Sequence, residues 1–199
     1  MDQSKLSITV SKIVLAGLAL YFFYVLIQVI STVNRRHIGT EDGTYINSTS
    51  TKPYIQELAN QLTKKCHSTL CFTEKILDYV TNIPYKINNF QAHSPQQSIQ
   101  NNFGDCDDKS NLLISLLHAK NIESYFVLVP KHIFVIVALD ENIPIYGLYL
   151  NDKKYYILES TAKNSAIGFP LRYEFENIHA IIEPFENRKI EINKLEWKL

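Results

Sequence analysis

The chain has 199 residues, of which 46% are hydrophobic, and its 20 basic side chains balance its 20 acidic ones. A chain of this length forms one domain with an extensive hydrophobic core, but not two domains of ordinary size. Because neither sign of charge predominates, the composition excludes a strongly basic nucleic-acid-binding protein, and we expect no nucleic-acid partner.

The N-terminal part of the chain is apolar enough to cross a membrane. Residues 13–34, between Lys12 and Arg35, contain no charged side chain, and this length of helix spans the roughly 30 Å core of a bilayer. We predict a transmembrane anchor over residues 1–36. A signal peptide fits less well, because its apolar region is usually about 7 to 15 residues long and a small-residue cleavage site follows it. The aromatic residues 21–24 lie near mid-span, where they contact either lipid or a partner helix in a membrane complex.

Residues 37–53 are polar, rich in Gly, Ser and Thr, and without apolar periodicity. This composition predicts a flexible linker between the membrane and a domain that covers residues 54–199. The chain from residue 37 onward holds 16 basic and 19 acidic side chains. This near balance suggests that the domain has no polyanionic partner.

Apolar residues at helical spacing predict two amphipathic helices around Ile55–Leu62 and Ile76–Val80, the second ending before Pro84. A loop follows over residues 87–104, with a short helical turn after Ser94-Pro95. The clearest helix carries a stripe of four leucines, which we expect to be buried: Leu112, Leu113, Leu116 and Leu117.

Beyond this helix the pattern becomes that of β-strands. β-branched and aromatic residues alternate in short runs that are separated by turn residues such as Asn151-Asp152. The predicted strands are Ser124–Val129, His132–Leu139, Pro144–Leu150, Lys154–Ser160 and Ile178–Glu183. Helices followed by an antiparallel run of strands predict an α+β fold, with helices packed on an antiparallel sheet.

Cys106 lies where the loop becomes the leucine-striped helix, two residues after Gly104. A thiol at a helix N-terminus meets unpaired N–H groups and the positive end of the helix dipole, which favour the thiolate. The neighbouring carboxylates of Asp105, Asp107 and Asp108 would oppose this, so we expect them to cap the helix or to bind other partners. The alternative interpretation is a small, buried and unreactive cysteine.

A nucleophilic cysteine needs a base, and the base needs an orienting acceptor. His132 opens the most hydrophobic strand and is the best candidate base, with His179 as the weaker alternative. Glu159 follows the apolar strand "YYIL", an unusual position for a charge unless a partner binds it. The sequence therefore predicts a thiol, an imidazole and a carboxylate in the order Cys106, His132, Glu159.

These segments resemble the transglutaminase-like superfamily, which has a papain-like core and a Cys, His, Asp triad in this order. The resemblance rests on "GDCDDKSNLLISLL", "KHIFVIV" and "YYILESTA", and extends to "IPY" and "SPQQSIQNNFGDC". It implies Cys106 as nucleophile, His132 as base and Glu159 as the orienting carboxylate, where many members have Asp. It also implies acyl transfer from a protein or peptide substrate, ending in hydrolysis or in transfer to an amine.

The second donor to the oxyanion, beside the Cys106 backbone N–H, remains open among Tyr85, Gln97 and Gln100. We expect no cofactor and no metal. The three aspartates lack the spaced loop of a calcium site, and helix capping accounts for them better.

Cys66 and Cys71 lie on either side of a turn between two helices. They form either a disulfide, which needs a Cα separation of roughly 5.5 Å, or two reduced thiols. A zinc site with His67 would lack a fourth ligand nearby. The disulfide would leave Cys106 free and would favour an extracytoplasmic domain.

Three functions follow from these observations. The first is a membrane-anchored cysteine peptidase or amidase. The second is an amine-accepting transglutaminase that uses the same residues. The third is a non-catalytic accessory or scaffold subunit of a membrane complex. A reactive thiol would separate the first two from the third.

Overall fold

The computed structural model describes residues 3–34, 36–40, 43–87 and 92–199. Residues 41–42 of the predicted linker and residues 88–91 of the predicted loop lie outside the described part. The chain divides into two compact units, Met1–His37 and Ile38–Leu199.

The N-terminal unit consists mainly of one helix, α1 (Gln3–Asn34). Within it, Ile8–Ile27 has a mean hydropathy of 2.1, and none of this stretch is buried inside the protein. The helix begins about ten residues before the predicted apolar span and includes Lys12. By length and composition, α1 is sufficient to cross a membrane.

Two short strands follow α1, β1 (Arg36–Thr40) and β2 (Gly43–Asn47), and the second unit continues with four helices. These are α2 (Pro53–Leu62), α3 (Thr69–Asn82), α4 (Pro95–Asn101) and α5 (Cys106–His118). Local sequence explains their starts: Pro53 occupies the first turn of α2, and the Ser68 hydroxyl accepts a hydrogen bond from the Cys71 N–H. At α4, Ser94 and Gln97 form a capping box.

Seven strands form one sheet in the order β8-β7-β3-β4-β6-β5-β9. Every pairing between neighbours in it is antiparallel. The strands are β3 (Ser124–Val129), β4 (His132–Val137), β5 (Gly147–Leu150), β6 (Lys153–Leu158), β7 (Ala180–Glu183), β8 (Arg188–Lys189) and β9 (Leu195–Lys198). A 3₁₀ turn, Phe175–Asn177, precedes β7. The predicted α+β class is confirmed, and the two edge strands β8 and β9 were not predicted.

The two faces of this sheet support separate apolar clusters, because successive side chains of a strand point to opposite faces. One face, with Ile133, Val135 and Leu158, packs against α5 and buries its four leucines completely. The other face, with Phe134, Ile136 and Ile157, is covered by the segment that follows β6 and by residues of β9. We call these the helix face and the loop face of the sheet.

Part of the predicted linker is ordered against the domain. Tyr45 in β2 is buried and its ring contacts Phe126 edge-on, with 5.2 Å between the ring centroids. The backbone N–H groups of Ser48 and Ser50 donate to the side chains of Asn111 and Ser115 on α5, at 2.8 and 2.9 Å. Polar residues of α5 therefore hold the segment that precedes α2.

Cys66 and Cys71 form a disulfide, with their Cα atoms 5.5 Å apart. The bond closes the turn between α2 and α3, and Cys106 is the free cysteine. All three cysteines of the chain are thereby accounted for.

Lys109 is buried in the first turns of α5 and joins α5 to the end of α3. Its ammonium donates to the carbonyl oxygens of Thr81 and Ile83, at 3.4 and 2.8 Å. Burial lowers the pKa of Lys109 to about 8, although the nearby charge of Glu159 opposes that shift. Lys109 satisfies carbonyl groups that the end of α3 would otherwise leave without a partner.

The contacts of β2 predict different outcomes for two truncations. Removing residues 1–36 should leave a folded, soluble domain, whereas removing residues 1–52 should destabilise it by about 3–5 kcal/mol, since the packing of one buried aromatic side chain is worth roughly that much. Urea unfolding followed by circular dichroism measures both values. Equal stability of the two truncations would contradict the structural role of Tyr45, and an insoluble 37–199 fragment would contradict the independence of the domain.

The disulfide predicts a simple thiol count. Under denaturing but non-reducing conditions, the intact chain should take up one thiol-alkylating mass tag, at Cys106, and reduction should raise the number to three. Mass spectrometry after digestion identifies the tagged residues. Three tags before reduction would show that Cys66 and Cys71 are not paired.

Candidate active site

Cys106 begins α5, and the backbone before it is held tightly. Gly104 forms a parallel β-bridge with Tyr85, and its N–H donates to the Pro84 carbonyl at 3.2 Å. A Cβ atom on Gly104 would lie 2.7 Å from the Cβ of Asp108, so a larger residue does not fit there without displacement. The "IPY" segment therefore fixes the approach of the chain to Cys106.

The aspartates on either side of Cys106 have different roles. Asp105 caps α5: its carboxylate accepts from the N–H groups of Asp107 and Asp108, both at 3.2 Å. The Asp108 carboxylate accepts from the Asp105 N–H at 3.4 Å and completes the capping box. It also accepts from the His93 N–H at 2.5 Å, and its other oxygen lies 3.2 Å from His93 Nδ1. The predicted capping role is therefore correct for Asp105 and Asp108.

Asp107 contradicts our expectation that the carboxylates face away from the thiol. The Cys106 thiol donates to Asp107 Oδ1, with 3.5 Å between sulfur and oxygen. Burial, followed by the negative charges of Asp107 and Asp105, raises the pKa of Cys106 to about 12. The helix N-terminus does not outweigh these effects, and the resting thiol is protonated at neutral pH.

The pKa of Asp107 is also shifted from its usual value. Burial and the charge of Asp105 raise its pKa to about 6, and the thiol hydrogen bond and the charge of His132 oppose this. An acceptor that titrates near neutrality therefore contacts the sulfur directly. Sequence reasoning did not assign it, because three neighbouring aspartates look alike before their hydrogen bonds are known.

His132 and Glu159 form the second part of the site. His132 Nε2 lies 2.8 Å from Glu159 Oε2, and both side chains are largely buried, with 19% and 11% of their surface exposed. The other oxygen of Glu159 accepts from the N–H and the hydroxyl of Thr161, at 3.0 and 2.5 Å. The pairing that the sequence predicted for these two residues is present.

Hydrogen bonds keep Glu159 ionised. Burial alone would raise its pKa, but the bonds from His132 and Thr161 more than offset burial and lower it below the usual value. A carboxylate only accepts hydrogen bonds, so the Nε2 atom of neutral His132 carries the proton towards Glu159, and Nδ1 is left as the acceptor.

One buried hydrogen bond joins the two parts of the site. The hydroxyls of Ser110 on α5 and Ser160 after β6 lie 3.1 Å apart in the buried interior. Burial, followed by the charge of Glu159, raises the pKa of Tyr173, and the charge of His132 lowers the pKa of Asp107 against the effect of burial. His132 and Glu159 have the strand parity of the loop face, whereas Cys106 packs beside the helix face. His132 begins β4 and Glu159 follows the end of β6, and the Ser110–Ser160 hydrogen bond joins this end of the sheet to α5.

A cavity of about 210 Å³ opens beside His132 and Glu159 on the loop face. Phe134 and Ile157 belong to the strands beneath it. The segment after β6 supplies the remaining lining: Thr161, Ala162, Phe169, Pro170, Leu171, Arg172 and Tyr173. The motifs did not reveal this cavity, because most of its lining comes from a segment without regular periodicity.

The three candidate oxyanion donors have different surroundings. Gln97 is engaged in the capping box with Ser94, and the side chain of Gln100 is exposed. Tyr85 is held by its bridge to Gly104, and burial, followed by the charge of Cys106, raises the pKa of its hydroxyl. Of the three, Tyr85 is the one whose backbone pairs with the segment that leads into Cys106.

The side-chain donor atoms of Asp105, Cys106 and Asp107 lie within 4.8 Å of one another. These three donors would supply only part of the six to eight oxygen ligands that calcium takes. The carboxylate of Asp105 already accepts two backbone hydrogen bonds in the helix cap. We assign no metal to this group.

Comparison with known proteins gives one family. Residues 56–133 match the family model of the transglutaminase-like superfamily. A search of curated proteins finds no match.

The solved structures that the comparison finds include a candidate cysteine protease of Cytophaga hutchinsonii, at 20% identity and a TM-score of 0.45, which aligns over 57% of this chain and 39% of its own. A candidate protease of Parabacteroides distasonis aligns at 16% identity and a TM-score of 0.47, over 70% of this chain and 27% of its own. LapG of Legionella pneumophila aligns at 15% identity and a TM-score of 0.44, over 60% of this chain and 78% of its own. The chain thus spans well under half of the first two proteins.

The range that matches the family model contains Cys106 at the start of α5 and His132 at the start of β4. These are the elements on which the sequence motifs placed them, within the α+β fold that those motifs imply. Residues 56–133 are therefore similar to the transglutaminase-like superfamily.

Proposed function

We propose that the protein is a membrane-anchored cysteine hydrolase that cleaves an amide bond in a protein or peptide substrate through Cys106, His132 and Glu159. The observation that carries this proposal is the buried pair of His132 and Glu159, and the free Cys106 at the start of α5, the helix that packs on the same sheet, supports it. A transglutaminase-like domain supplies the chemical precedent of thiol-dependent acyl transfer.

In the proposed reaction, His132 Nδ1 accepts the thiol proton as the sulfur attacks the substrate carbonyl. The resulting imidazolium lies beside ionised Glu159, which stabilises it. The C–N bond then breaks, the departing amine takes the proton from His132, and a thioester remains on Cys106. Water, activated by His132, attacks the thioester, releases the acid and restores the thiol. Because the pKa of Cys106 is raised, proton removal must accompany the attack.

The proposal includes a single-pass membrane anchor and an extracytoplasmic location of the domain. The apolar helix α1 supports a single-pass anchor. The Cys66–Cys71 disulfide supports an extracytoplasmic domain, because structural disulfides persist in oxidising compartments and are rare in the cytosol.

The raised thiol pKa favours one alternative, a non-catalytic accessory or scaffold subunit of a membrane complex. A protonated thiol bonded to a carboxylate is the arrangement expected of an unreactive cysteine. The amine-accepting transglutaminase uses the same thioester and differs from the hydrolase only in what attacks it.

Activity of the full-length protein in detergent should depend on all three residues. We expect Cys106→Ser and His132→Ala to reduce hydrolysis of a mixed peptide library by about 10³-fold or more, and Glu159→Gln by about 10²-fold or more, because loss of one triad member in a hydrolase is of this order. His67→Ala, which changes an exposed histidine, is the matched control and should leave the rate unchanged.

The same assay separates the alternatives when a labelled primary amine is added. Incorporation of the amine without hydrolysis would replace the hydrolase by a transglutaminase. The scaffold alternative would remain if the protein neither hydrolysed peptides nor incorporated the amine, and if iodoacetamide labelled Cys106 at the same rate in the wild type and in His132→Ala.

Asp107→Asn should make Cys106 more reactive towards iodoacetamide. Removing the charge nearest the sulfur lowers the thiol pKa, and each unit by which it falls increases the thiolate fraction about tenfold at any pH well below it. The rate constant at pH 8, measured by mass spectrometry of the Cys106 peptide, should therefore rise by about tenfold. Asp140→Asn, which removes an exposed charge, is the control. An unchanged rate in Asp107→Asn would show that Asp107 does not hold the thiol in its protonated form.

A further inference from the structure

We propose that Lys109 is a positioning residue of the proposed active site, which fixes the segment that leads into Cys106 by holding α5 against the end of α3. This inference rests on the proposed hydrolase. It assigns a role in that reaction to a side chain outside the group of Cys106, His132 and Glu159. The contacts in the first turns of α5 carry it.

The stem of Lys109 packs against the backbone that precedes the nucleophile. Lys109 follows Cys106 by one helical turn on the same face of α5, because residues three apart share a face. A long side chain of a helix points back towards the helix N-terminus. The stem of Lys109 has this direction, since a Cβ atom on Gly104 would lie 3.5 Å from its Cγ. Lys109 therefore supports the chain immediately before the N-cap Asp105.

The ammonium group of Lys109 binds the end of α3. It donates to the Ile83 carbonyl at 2.8 Å and to the Thr81 carbonyl at 3.4 Å. The last carbonyl groups of a helix have no donor within the helix, and α3 ends at Asn82. Pro84, which follows, has no N–H to donate. Lys109 thus supplies donors to a stretch of backbone that has few of its own.

These hydrogen bonds complete a closed series of contacts around the start of α5. Pro84 follows Ile83, and its carbonyl accepts from the Gly104 N–H at 3.2 Å. The Gly104 carbonyl in turn accepts from the Lys86 N–H at 3.1 Å, on the other side of the bridge to Tyr85. Gly104 then leads through the N-cap into α5. Lys109 therefore holds this bridge at the residue where it begins.

A space-filling role alone does not explain a charged side chain at this position. Only 1% of Lys109 is exposed, and the two hydrogen bonds of its ammonium go to uncharged carbonyl oxygens. Burial of a charge is costly, and an apolar side chain in its place is often neutral or stabilising. The hydrogen bonds to α3, and not the packing of the stem, therefore favour lysine here.

Lys109→Met in the full-length protein in lipid nanodiscs tests this role directly. Methionine keeps an apolar stem of similar length but donates no hydrogen bond. We expect the amides of Gly104 and Lys86, which form the bridge, to exchange at least about tenfold faster than in the wild type, because exchange reports local opening. The amides of β4 should keep their rates. Hydrogen–deuterium exchange mass spectrometry with fragmentation to single residues measures both.

Leu117→Ala is the matched control for a general loss of stability. It truncates a fully buried side chain of the same helix about two turns beyond Lys109, and it should destabilise the domain. Faster exchange in this variant should spread through the domain. It should not single out Gly104 and Lys86.

The same variants separate positioning from stability in the hydrolase assay. At a temperature where all of them are folded, Lys109→Met should lower kcat by about tenfold or more with little change in KM, since a displacement of about 1 Å can cost roughly 10²-fold in rate. Leu117→Ala should keep the kcat of the wild type. An active Lys109→Met variant with the wild-type kcat would overturn the proposal.

If Lys109→Met does not fold, as judged by its thermal unfolding, Lys109→Gln replaces it. The glutamine nitrogen is one bond closer to the backbone than the ammonium and does not reach Ile83, so the same results are expected. Exchange at Gly104 and Lys86 that is no faster than in Leu117→Ala would also overturn the proposal. Selectively faster exchange at these two amides, in a protein whose wild type hydrolyses no peptide, would support the role of Lys109 in holding the bridge and would count against the hydrolase. The two failures are therefore distinguishable.

Discussion

The hydrogen bonds in the first turn of α5 determine the environment of the whole site. A helix leaves its first N–H groups without partners, and here Asp105 and Asp108 satisfy three of the backbone groups around the start of the helix. Asp108 also binds His93 from the preceding segment. With these two aspartates committed to the cap, Asp107 is the carboxylate that faces Cys106. The cap that places the thiol at the helix N-terminus therefore also places a negative charge against it.

This arrangement explains why the helix dipole does not produce a resting thiolate. The dipole acts as roughly half a positive charge near the N-terminus, whereas Asp107 contributes a full negative charge at hydrogen-bond distance and the thiol is partly removed from water. The same charge has the opposite effect on a cation: Asp107 and His132 lie close enough for the imidazolium to lower the pKa of Asp107. Asp107 thus disfavours a thiolate but favours the imidazolium that the proposed reaction would form.

The sequence predicted the features that depend on local periodicity and on short motifs. The leucines of α5 and the strands that begin at Ser124 and His132 follow from spacing. The sequence left the pairing of Cys66 with Cys71 open against two reduced thiols, and the structure has the disulfide. Features that depend on contacts distant in sequence were not predictable. The edge strands β8 and β9 are short, and each is formed by backbone pairing with a neighbouring strand, β7 for β8 and β5 for β9. The role of Lys109 likewise depends on carbonyl groups 26 and 28 positions away.

Successive side chains of β4 and β6 alternate between the core packed on α5 and the opposite face, which carries His132 and Glu159. Odd-numbered residues of β4 pack on α5, and the even-numbered Phe134 lies beneath the cavity on the other face. His132 has the parity of Phe134, and Glu159 has the parity of Ile157, so both side chains extend from the cavity side of the sheet. The sheet ends at these residues, and α5 begins nearby on its other face. Because Cys106 packs with the cluster on the helix face and His132 has the parity of the loop face, the thiol and the imidazole could meet only where the sheet ends.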